Sequence, residues 1–572
     1  MNEPEAPQRP KWTLPPGYRQ ALRIVAFATV ASLSAVAFHY AIHYVFDFGL
    51  KRFARIAPED FYWISFIVCI GGALVAGVLM HYVSRDAAGS GIPQLKANYW
   101  KNFGVMTWRQ LWVKFVAGAV QIGTGSSLGR EGPSVQIAAA AGSLLSGAFG
   151  DVRQRRRAGA VTGAAAGLAA AFNTPLAAVT FVLEEIIGDL NSRLMGRVLL
   201  AAVVGALVTH GFIGADPAFT LSHIGNPTMV SYLLVPVVSA AAGLVGVAFQ
   251  AGSLSLRARS RKWKRIPGWL RPSIGALVVW ALGATVFAET GHLGVFGLGY
   301  EDMTQGLAGQ VTWNIALLLV LTKLVGTIAC YGTGGAGGIF TPTLFMGAMT
   351  GIAFGAGLDP FLGLSRDGVV LLAIVGMTGT LGAVVRAPVT SILIVFEMTH
   401  EFAVVPPLML GALISQWVSR LLPHNFYDAL LIQDGHDVER FSPPLDIRRW
   451  RRQPTSVLAN PNPILCENLA PEALIHLRRN FPYTRFPVVE NGMLLGILTR
   501  DEMRTAAAED RPVQLEKAVT CLPDTSLQAI EAQLIESHTG MVVVLTPAGS
   551  VKGLFTLNDL LRAQHQLAGM PD

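Results

Sequence analysis

The chain has 572 residues, of which 52% are hydrophobic and 14% are charged, whereas an average soluble protein carries about 25% charged residues. This balance excludes a disordered chain, a secreted disulfide scaffold and an ordinary soluble enzyme. The net charge of +7 is more typical of a membrane protein with basic loops than of a nucleic-acid-binding protein. The four cysteines are far apart and show neither zinc nor disulfide spacing, so no metal site is expected.

The first 19 residues are polar and proline-rich, and we interpret them as a cytoplasmic tail. Long uncharged stretches follow between residues 20 and 435. A helix needs about 20 apolar residues to cross the hydrocarbon core, and several stretches exceed this length while Gly and Pro interrupt them. Residues 20–435 are therefore predicted to form an all-α polytopic membrane domain, with broken helices where the backbone lines a cavity.

Clusters of basic residues indicate which side of the membrane the loops face. They lie at residues 153–157, 257–265 and 448–452, and the positive-inside rule places all three in the cytoplasm. The last cluster belongs to a basic linker, residues 436–452. The following residues, 453–572, have strand-length apolar runs and more charge, which predicts a small cytoplasmic α/β domain.

The membrane region contains an internal repeat. Residues 158–186 are similar to residues 371–399, and Pro175 and Glu184 align with Pro388 and Glu397 at an offset of 213. Two related halves predict a pseudo-two-fold fold with a site where the halves meet. A second repeat lies in the C-terminal region at an offset of 57. Its matching residues are Gly492, Gly496, Thr499 and Glu502 in one copy, and Gly549, Gly553, Thr556 and Asp559 in the other.

Three motifs rich in Gly and Pro interrupt the membrane helices. They are Gly89-Ser90-Gly91-Ile92-Pro93, Gly129-Arg130-Glu131-Gly132-Pro133 and Gly337-Gly338-Ile339-Phe340-Thr341-Pro342. Glycine permits close backbone approach, and proline suits the first turn of a helix. Helix N-termini present free N–H groups and a partial positive charge. Several such ends directed at one point predict an anion site that releases its ion more readily than a Lys or Arg site would.

In this order and spacing, the three motifs resemble the signatures of the CLC family of chloride channels and chloride/proton exchangers. Tyr427, in the segment NFYDALL, resembles a tyrosine that the family carries late in the membrane domain. The resemblance covers residues 20–435. It implies an inverted two-repeat fold, a homodimer with one ion pathway in each subunit, and a location in a lipid bilayer, here a prokaryotic inner membrane.

The resemblance also implies the residues of the anion site. Ser90, Gly91, Tyr427 and the backbone N–H groups of Ile339 and Phe340 would bind chloride. The loops around the site would be formed by Gly129, Arg130, Gly132, Pro133, Gly337 and Gly338. A helix-capping role for Ser90 and an interfacial position for Tyr427 are the alternatives.

Two glutamates match the family's proton-transfer positions. Glu131 resembles the gating glutamate, which competes with chloride when ionised and swings away when protonated. A structural ion pair with Arg130 is the alternative. Glu185 resembles an internal proton-transfer glutamate that is usual in exchangers and unusual in channels. It favours chloride/proton exchange over a passive channel, the alternative function, unless Glu185 is a solvated surface acid.

The segments 486–503 and 541–561 each predict a strand, a turn, a strand and a helix, and they resemble a pair of CBS domains, about residues 453–508 and 512–567. The resemblance implies binding of an adenine nucleotide (ATP, ADP or AMP), with Thr556 and Asp559 as the better candidate pair because Glu502 replaces the aspartate in the first copy. A plain helix cap at Thr556 and Asp559, and a purely structural tail that stabilises a dimer, are the alternatives to nucleotide binding. Transport itself would require no cofactor, and the sequence has no phosphate-loop or hydrolase motif, so no enzyme is predicted.

Overall fold

The computed structural model describes residues 16–190, 192, 194–219, 227–436, 454–537 and 539–560. These residues form two compact units, one ending at residue 436 and one beginning at residue 454. Nearly all of the predicted basic linker, with its arginine cluster, lies outside the described residues. Residues 1–15 of the predicted N-terminal tail also lie outside them. The first helix begins at Pro16, so the last four residues of that tail are helical.

The first unit is built from helices in two consecutive halves. The first half contains α1 (Pro16–Phe46), α2 (Arg52–Ile56), α3 (Phe61–Tyr82), α4 (Ile92–Lys101), α5 (Trp108–Gly123), α6 (Glu131–Ala148), α7 (Arg156–Phe172), α8 (Pro175–Phe181) and α9 (Met195–Phe212). The second half and the end of the unit contain α10 (Met229–Arg261), α11 (Arg271–Thr290), α12 (Tyr300–Leu307), α13 (Trp313–Gly332), α14 (Phe340–Leu362), α15 (Arg366–Val385), α16 (Pro388–Thr399), α17 (Val405–Ser419) and α18 (Phe426–Gln433). Among the residues that the structure describes, nine helices are long and apolar enough to cross a membrane. The prediction of an all-α polytopic membrane domain is therefore confirmed.

The two halves meet through reciprocal contacts at helix ends. The Glu184 carboxylate accepts hydrogen bonds from the backbone N–H and the hydroxyl of Thr390, in the first turn of α16. Glu397, at the end of α16, accepts from the N–H groups of Leu176 and Ala177 in the first turn of α8. Each repeat-related glutamate thus stabilises the start of the other copy's helix. This exchange requires the two segments to be antiparallel, as a two-fold relation produces.

The repeat extends further than its sequence similarity suggests. Lys114 in α5 and Lys323 in α13 are 209 residues apart, the offset that also relates Pro133 to Pro342. Both lysines are fully buried. The Lys114 ammonium group donates to the carbonyl oxygen of Gly89. The Lys323 ammonium group donates to the carbonyl oxygen of Gly297, 208 residues after Gly89. Each lysine therefore fixes a Gly-x-Gly loop that precedes a short helix, α4 in one half and α12 in the other.

Small residues allow the helices of each half to pack closely. A Cβ atom at Gly163 in α7 would lie 2.1 Å from the carbonyl oxygen of Ala138 in α6. A Cβ atom at the repeat-related Gly376 in α15 would lie 2.1 Å from the carbonyl oxygen of Gly347 in α14. Close backbone approach at small residues is the usual means of helix association in membranes. It holds α6 and α14 in place, and their first residues form the candidate site.

The second unit contains two similar modules. The first has α19 (Pro471–Asn480), the antiparallel pair β1 (Arg485–Glu490) and β2 (Met493–Thr499), and α20 (Arg500–Glu509). The second has β3 (Val519–Cys521), α21 (Leu527–Glu536), β4 (Met541–Leu545) and β5 (Val551–Thr556). β3 is parallel and β5 antiparallel to β4. The predicted strand–turn–strand order is confirmed in both copies.

The modules exchange their leading segments. Asn460, ahead of the first module, pairs with Leu554 of β5, and Glu516, ahead of the second, pairs with Ile497 of β2. A Cβ atom at Gly496 would lie 2.9 Å from the carbonyl oxygen of Glu516. The related Gly553 faces Asn460 in the same way. Two of the repeated glycines are thus explained by a crossing backbone segment.

The close contact between α14 and α15 leads to a stability prediction. Gly376→Val would force the two helices apart, and overpacking of this kind costs about 1–3 kcal/mol or more. We expect a lower melting temperature of the full-length protein in detergent. The matched control is Gly211→Val in α9, because a Cβ atom there meets nothing within 4 Å. Equal melting temperatures for the two variants would contradict the packing argument.

Candidate functional site

Three helix N-termini meet where the Gly/Pro-rich motifs come together. Gly129 and Gly338 exchange backbone hydrogen bonds, which brings the start of α6 against the start of α14. A Cβ atom at Gly132, in the first turn of α6, would lie 2.5 Å from Ser90 Oγ. Ser90 itself comes two residues before α4. Only a glycine at position 132 allows the two chain segments to approach this closely.

Two buried hydroxyl groups at this junction have no hydrogen-bond partner among the described residues. They belong to Ser90 and Tyr427, and both side chains are fully buried. Gly91, not Ser90, is the N-cap residue of α4 and no side chain caps that helix, so the capping alternative for Ser90 is wrong. Full burial likewise excludes an interfacial position for Tyr427. Tyr427 lies in the first turn of α18, and its hydroxyl lies near that of Ser90.

Ile339 and Phe340 occupy the positions that the anion-site prediction requires. Ile339 is the N-cap residue of α14 and Phe340 is its first residue, so neither N–H group has an acceptor within the helix. Both residues are fully buried. The Phe340 ring packs edge-on against Phe181, with ring centroids 5.3 Å apart. The apolar side chains thus shield the backbone N–H donors from water.

The Glu131 carboxylate lies at the same helix end. It is fully buried and accepts from the Thr341 N–H at 3.4 Å, from the Thr341 hydroxyl, and from the Tyr300 hydroxyl at 3.3 Å. The carboxylate is therefore held where the free N–H groups of α14 attract negative charge.

Arg130 has other partners than Glu131. Its guanidinium group contacts the His39 ring nitrogen and donates to the carbonyl oxygen of Ala171. It also lies over the Tyr300 ring. The shortest contact with Glu131 is 4.0 Å, between Arg130 Nε and Glu131 Oε1. The hydrogen bonds from Thr341 and Tyr300 are shorter, so a tight ion pair with Arg130 is not the main interaction of Glu131.

Residues next to the junction line two cavities. One has a volume of about 560 Å³ and is lined by Gly89, Pro93 and Tyr331 beside Ser90, together with several arginines. The other has a volume of about 230 Å³ and is lined by Tyr300 and His43. Tyr300, which lines the second cavity, donates its hydroxyl to Glu131, so a single side chain connects that cavity with the Glu131 carboxylate.

Glu185 lies in a π-helical turn that follows α8. Left-handed Gly188 lies 13 positions after Pro175, whereas left-handed His400 lies 12 positions after Pro388 in the second half. The first half thus contains one extra residue, and such π-helical insertions are frequent at functional sites. The Glu185 side chain is buried, so the surface-acid alternative is wrong. Its carboxylate accepts a hydrogen bond from Lys96 Nζ at 2.9 Å.

Sequence reasoning missed several residues that touch the predicted ones. Tyr300 and Thr341 bind Glu131, and Lys96 connects Glu185 to Asp428. Gly299, directly before Tyr300, ends a Gly-x-Gly loop similar to the loop that ends at Gly91. This similarity between the halves is a signal that could have drawn attention to Tyr300. Lys96 and Asp428 carry no comparable signal, because they meet only through folding.

The second unit contains a cavity of about 700 Å³ between its two modules. Thr556 and Asp559 line it from the second module, and Tyr483 and Thr484 line it from the first. The Thr556 hydroxyl donates to Asp559 Oδ2 at 2.7 Å and accepts from the Asp559 N–H. The same residues therefore cap a helix and face a cavity large enough for a nucleotide.

The corresponding pair in the first module has a different environment. The Glu502 carboxylate accepts two hydrogen bonds from the Arg511 guanidinium group and one from the Gln514 N–H. These donors, Arg511 first, lower the pKa of Glu502 from its ordinary value. Its oxygens are already engaged, which agrees with the prediction that Thr556 and Asp559 form the better candidate pair.

Comparison with known proteins covers both units. Residues 71–420 match the family described as "Voltage gated chloride channel", and residues 467–509 and 513–566 match the CBS domain. The chain is 32% identical over 410 residues to a protein of Vibrio campbellii named H(+)/Cl(-) exchange transporter ClcA, covering 69% of this chain and 85% of that relative. A protein of the same name from Salmonella arizonae is also 32% identical over 410 residues, with 68% and 83% covered.

Solved structures show the same fold. A slow cyanobacterial Cl-/H+ antiporter superimposes with a TM-score of 0.64 at 24% identity, covering 74% of this chain and 99% of the other. A eukaryotic CLC transporter gives a TM-score of 0.58 at 20% identity, covering 95% and 98%. At these identities the likeness concerns the fold alone, and the predicted fold is confirmed.

Proposed function

The chain belongs to the voltage gated chloride channel family, and we propose that it exchanges chloride for protons across a membrane. The observation that carries the proposal is the position of Glu131. A titratable carboxylate occupies the positive end of α14 beside two buried hydroxyls that have no partner in the described residues. A group that binds protons and a site that attracts anions thus overlap, which is the requirement for coupling their movements.

The anion half of the mechanism follows from the donors at the junction. Chloride would be held by the hydroxyls of Ser90 and Tyr427 and by the N–H groups of Ile339 and Phe340. None of these donors carries a full positive charge, so the ion can also leave. Ionised Glu131 competes for the same helix end. Protonation removes its negative charge, and chloride can then replace it.

The proton half requires a second acid on the other side of the anion site. Glu185 is buried in the first half of the fold and has Met398 as its repeat counterpart, so it is not needed for the symmetric helix contacts that Glu184 makes. Lys96 connects it to Asp428, the residue after Tyr427, and this link suits the transfer of a proton to and from the anion site. We therefore assign outer proton transfer to Glu131 and inner proton transfer to Glu185. The names of the ClcA relatives support exchange over a passive channel.

The surroundings of the protein are part of the proposal. The positive-inside rule favours a cytoplasmic location for the basic loops and for the CBS modules, in a prokaryotic inner membrane. The helices α9 and α17 expose large apolar side chains, including Leu207, Leu413 and Trp417. Lipid or a second copy would cover these faces, and the family resemblance favours a homodimer.

The direct test is chloride-driven proton movement in liposomes that contain the full-length protein, at zero voltage and without an initial pH gradient. We expect protons to move uphill. Glu131→Gln removes the titratable gate, so proton movement should stop while chloride flux continues. Chloride flux without proton movement in the unchanged protein would indicate a passive channel, and proton coupling that persists in Glu131→Gln would exclude the assigned role.

The contacts of Glu131 give a second prediction. Thr341→Val removes a hydroxyl donor to the carboxylate, and a hydrogen bond to a charged group contributes about 1.5–3 kcal/mol. Chloride should then displace Glu131 more easily, and its affinity measured by calorimetry should rise about tenfold or more. Thr343→Val is the matched control, because the Thr343 hydroxyl donates to the Phe340 carbonyl of its own helix. Equal affinities in both variants would show that Glu131 does not compete from this position.

We also propose that the CBS modules bind an adenine nucleotide in the 700 Å³ cavity. Thr556 would contact phosphate and Asp559 would contact ribose. Asp559→Ala should weaken binding of ATP, ADP or AMP to the full-length protein at least tenfold by calorimetry. Glu502→Gln in the first module is the control, and we expect it to leave the affinity unchanged. An unchanged affinity in Asp559→Ala would leave helix capping as the role of the pair.

A further inference from the structure

A largely buried bridge of three charges connects Glu185 with two other helices. Lys96 Nζ lies 2.9 Å from Glu185 Oε1 and 2.8 Å from Asp428 Oδ1. The exposed fractions of the side chains are 12% for Lys96, 5% for Glu185 and 21% for Asp428. One ammonium group therefore forms salt bridges with two carboxylates in a region with little access to water.

The bridge is connected to the anion site through the chain itself. Lys96 lies on α4, six residues after Ser90, and Asp428 directly follows Tyr427 on α18. Glu185 is thus tied to the two elements that carry the unpartnered hydroxyls. A change in the charge of Glu185 acts first on Lys96, and through Lys96 on Asp428.

Asp428 avoids an unpaired buried charge when Glu185 takes up a proton. When a buried ion pair loses one partner, the remaining charge is uncompensated, and this is strongly unfavourable. With Glu185 as its only partner, Lys96 would be left in this state each time Glu185 took up a proton. Asp428 keeps Lys96 paired in both protonation states of Glu185.

We propose that Lys96 and Asp428 are positioning residues that allow Glu185 to change its protonation state during transport. Lys96 stabilises the carboxylate form of Glu185, and Asp428 retains Lys96 when that form is lost. This inference rests on the proposed exchange function and adds to it the pair of residues that sets the pH range of the inner proton step.

Other charged or titratable groups approach Glu185 from the neighbouring elements. Glu184 precedes it in the same turn, where its carboxylate is held by the first turn of α16. Tyr427 of α18 interacts with it electrostatically. In the part of the chain that the structure describes, the Lys96 ammonium group is the cation that forms a salt bridge with the Glu185 carboxylate.

The test measures protons moved per chloride in liposomes over a series of pH values. Lys96→Met removes the charge that favours the Glu185 carboxylate, so the midpoint of the pH dependence should rise by about one unit or more. Asp428→Asn removes a negative neighbour and leaves Lys96 to Glu185 alone. The midpoint should then fall by a similar amount. A structural role alone would not produce shifts of opposite sign.

Two further variants serve as controls. Lys96→Arg keeps the positive charge and should keep the midpoint of the unchanged protein. Asp151→Asn changes an aspartate that is paired with Arg23 elsewhere in the same unit, and it should shift nothing. Chloride flux, measured in the same liposomes, reports whether each variant is folded.

Three outcomes would overturn the proposal: shifts of the same sign in Lys96→Met and Asp428→Asn, no shift in either, or an equal loss of chloride and proton flux in both. The last result would mean that the bridge only holds helices together. Chloride flux without proton movement in the unchanged protein, at every pH, would instead contradict the exchange function and with it this inference.

Discussion

The free N–H groups at the start of α14 are the feature on which the rest of the site depends. A helix end attracts an anion with a fraction of a charge, so in the proposed function it would hold Glu131 in one state and chloride in another. The Gly129–Gly338 backbone pair and the glycine at position 132 bring the neighbouring chain segments to this point. The closely packed helix pairs behind them keep these ends in place.

The pseudo-two-fold relation builds this arrangement, and a departure from it adds chemistry. Glu184 of the first half caps α16, and Glu397 of the second half caps α8. Lys114 and Lys323 fix the Gly-x-Gly loops of the two halves. These interactions are structural because both halves need them. Glu185 has no counterpart of its kind, and it lies in a turn with one residue more than the second half contains. The break in symmetry therefore marks where the two halves differ in role.

The fold and the anion-site motifs were predictable because each is local in sequence. A Gly/Pro-rich motif and the helix that follows it lie within a few residues of each other, and hydropathy reveals the membrane helices. The partners of the two glutamates were not predictable in this way. Tyr300 meets Glu131 across 169 positions, and Asp428 meets Lys96 across 332. Such contacts depend on how the halves fold together, and a lysine or tyrosine gives by itself no indication of its partner in the sequence.

The buried glutamates of the first unit differ in whether their hydrogen-bond partners are compatible with the protonated form of the acid. Glu397 accepts from two backbone N–H groups, which can only donate, so protonation would leave a donor facing a donor. Glu131 accepts partly from the hydroxyls of Tyr300 and Thr341, which can turn and accept a hydrogen bond instead. Glu185 has an ammonium partner that another acid shares. Hydroxyl partners that can reverse their hydrogen bonds, and an ammonium group that keeps a second acid as its partner, separate Glu131 and Glu185 from Glu397, which stabilises the contact between the halves.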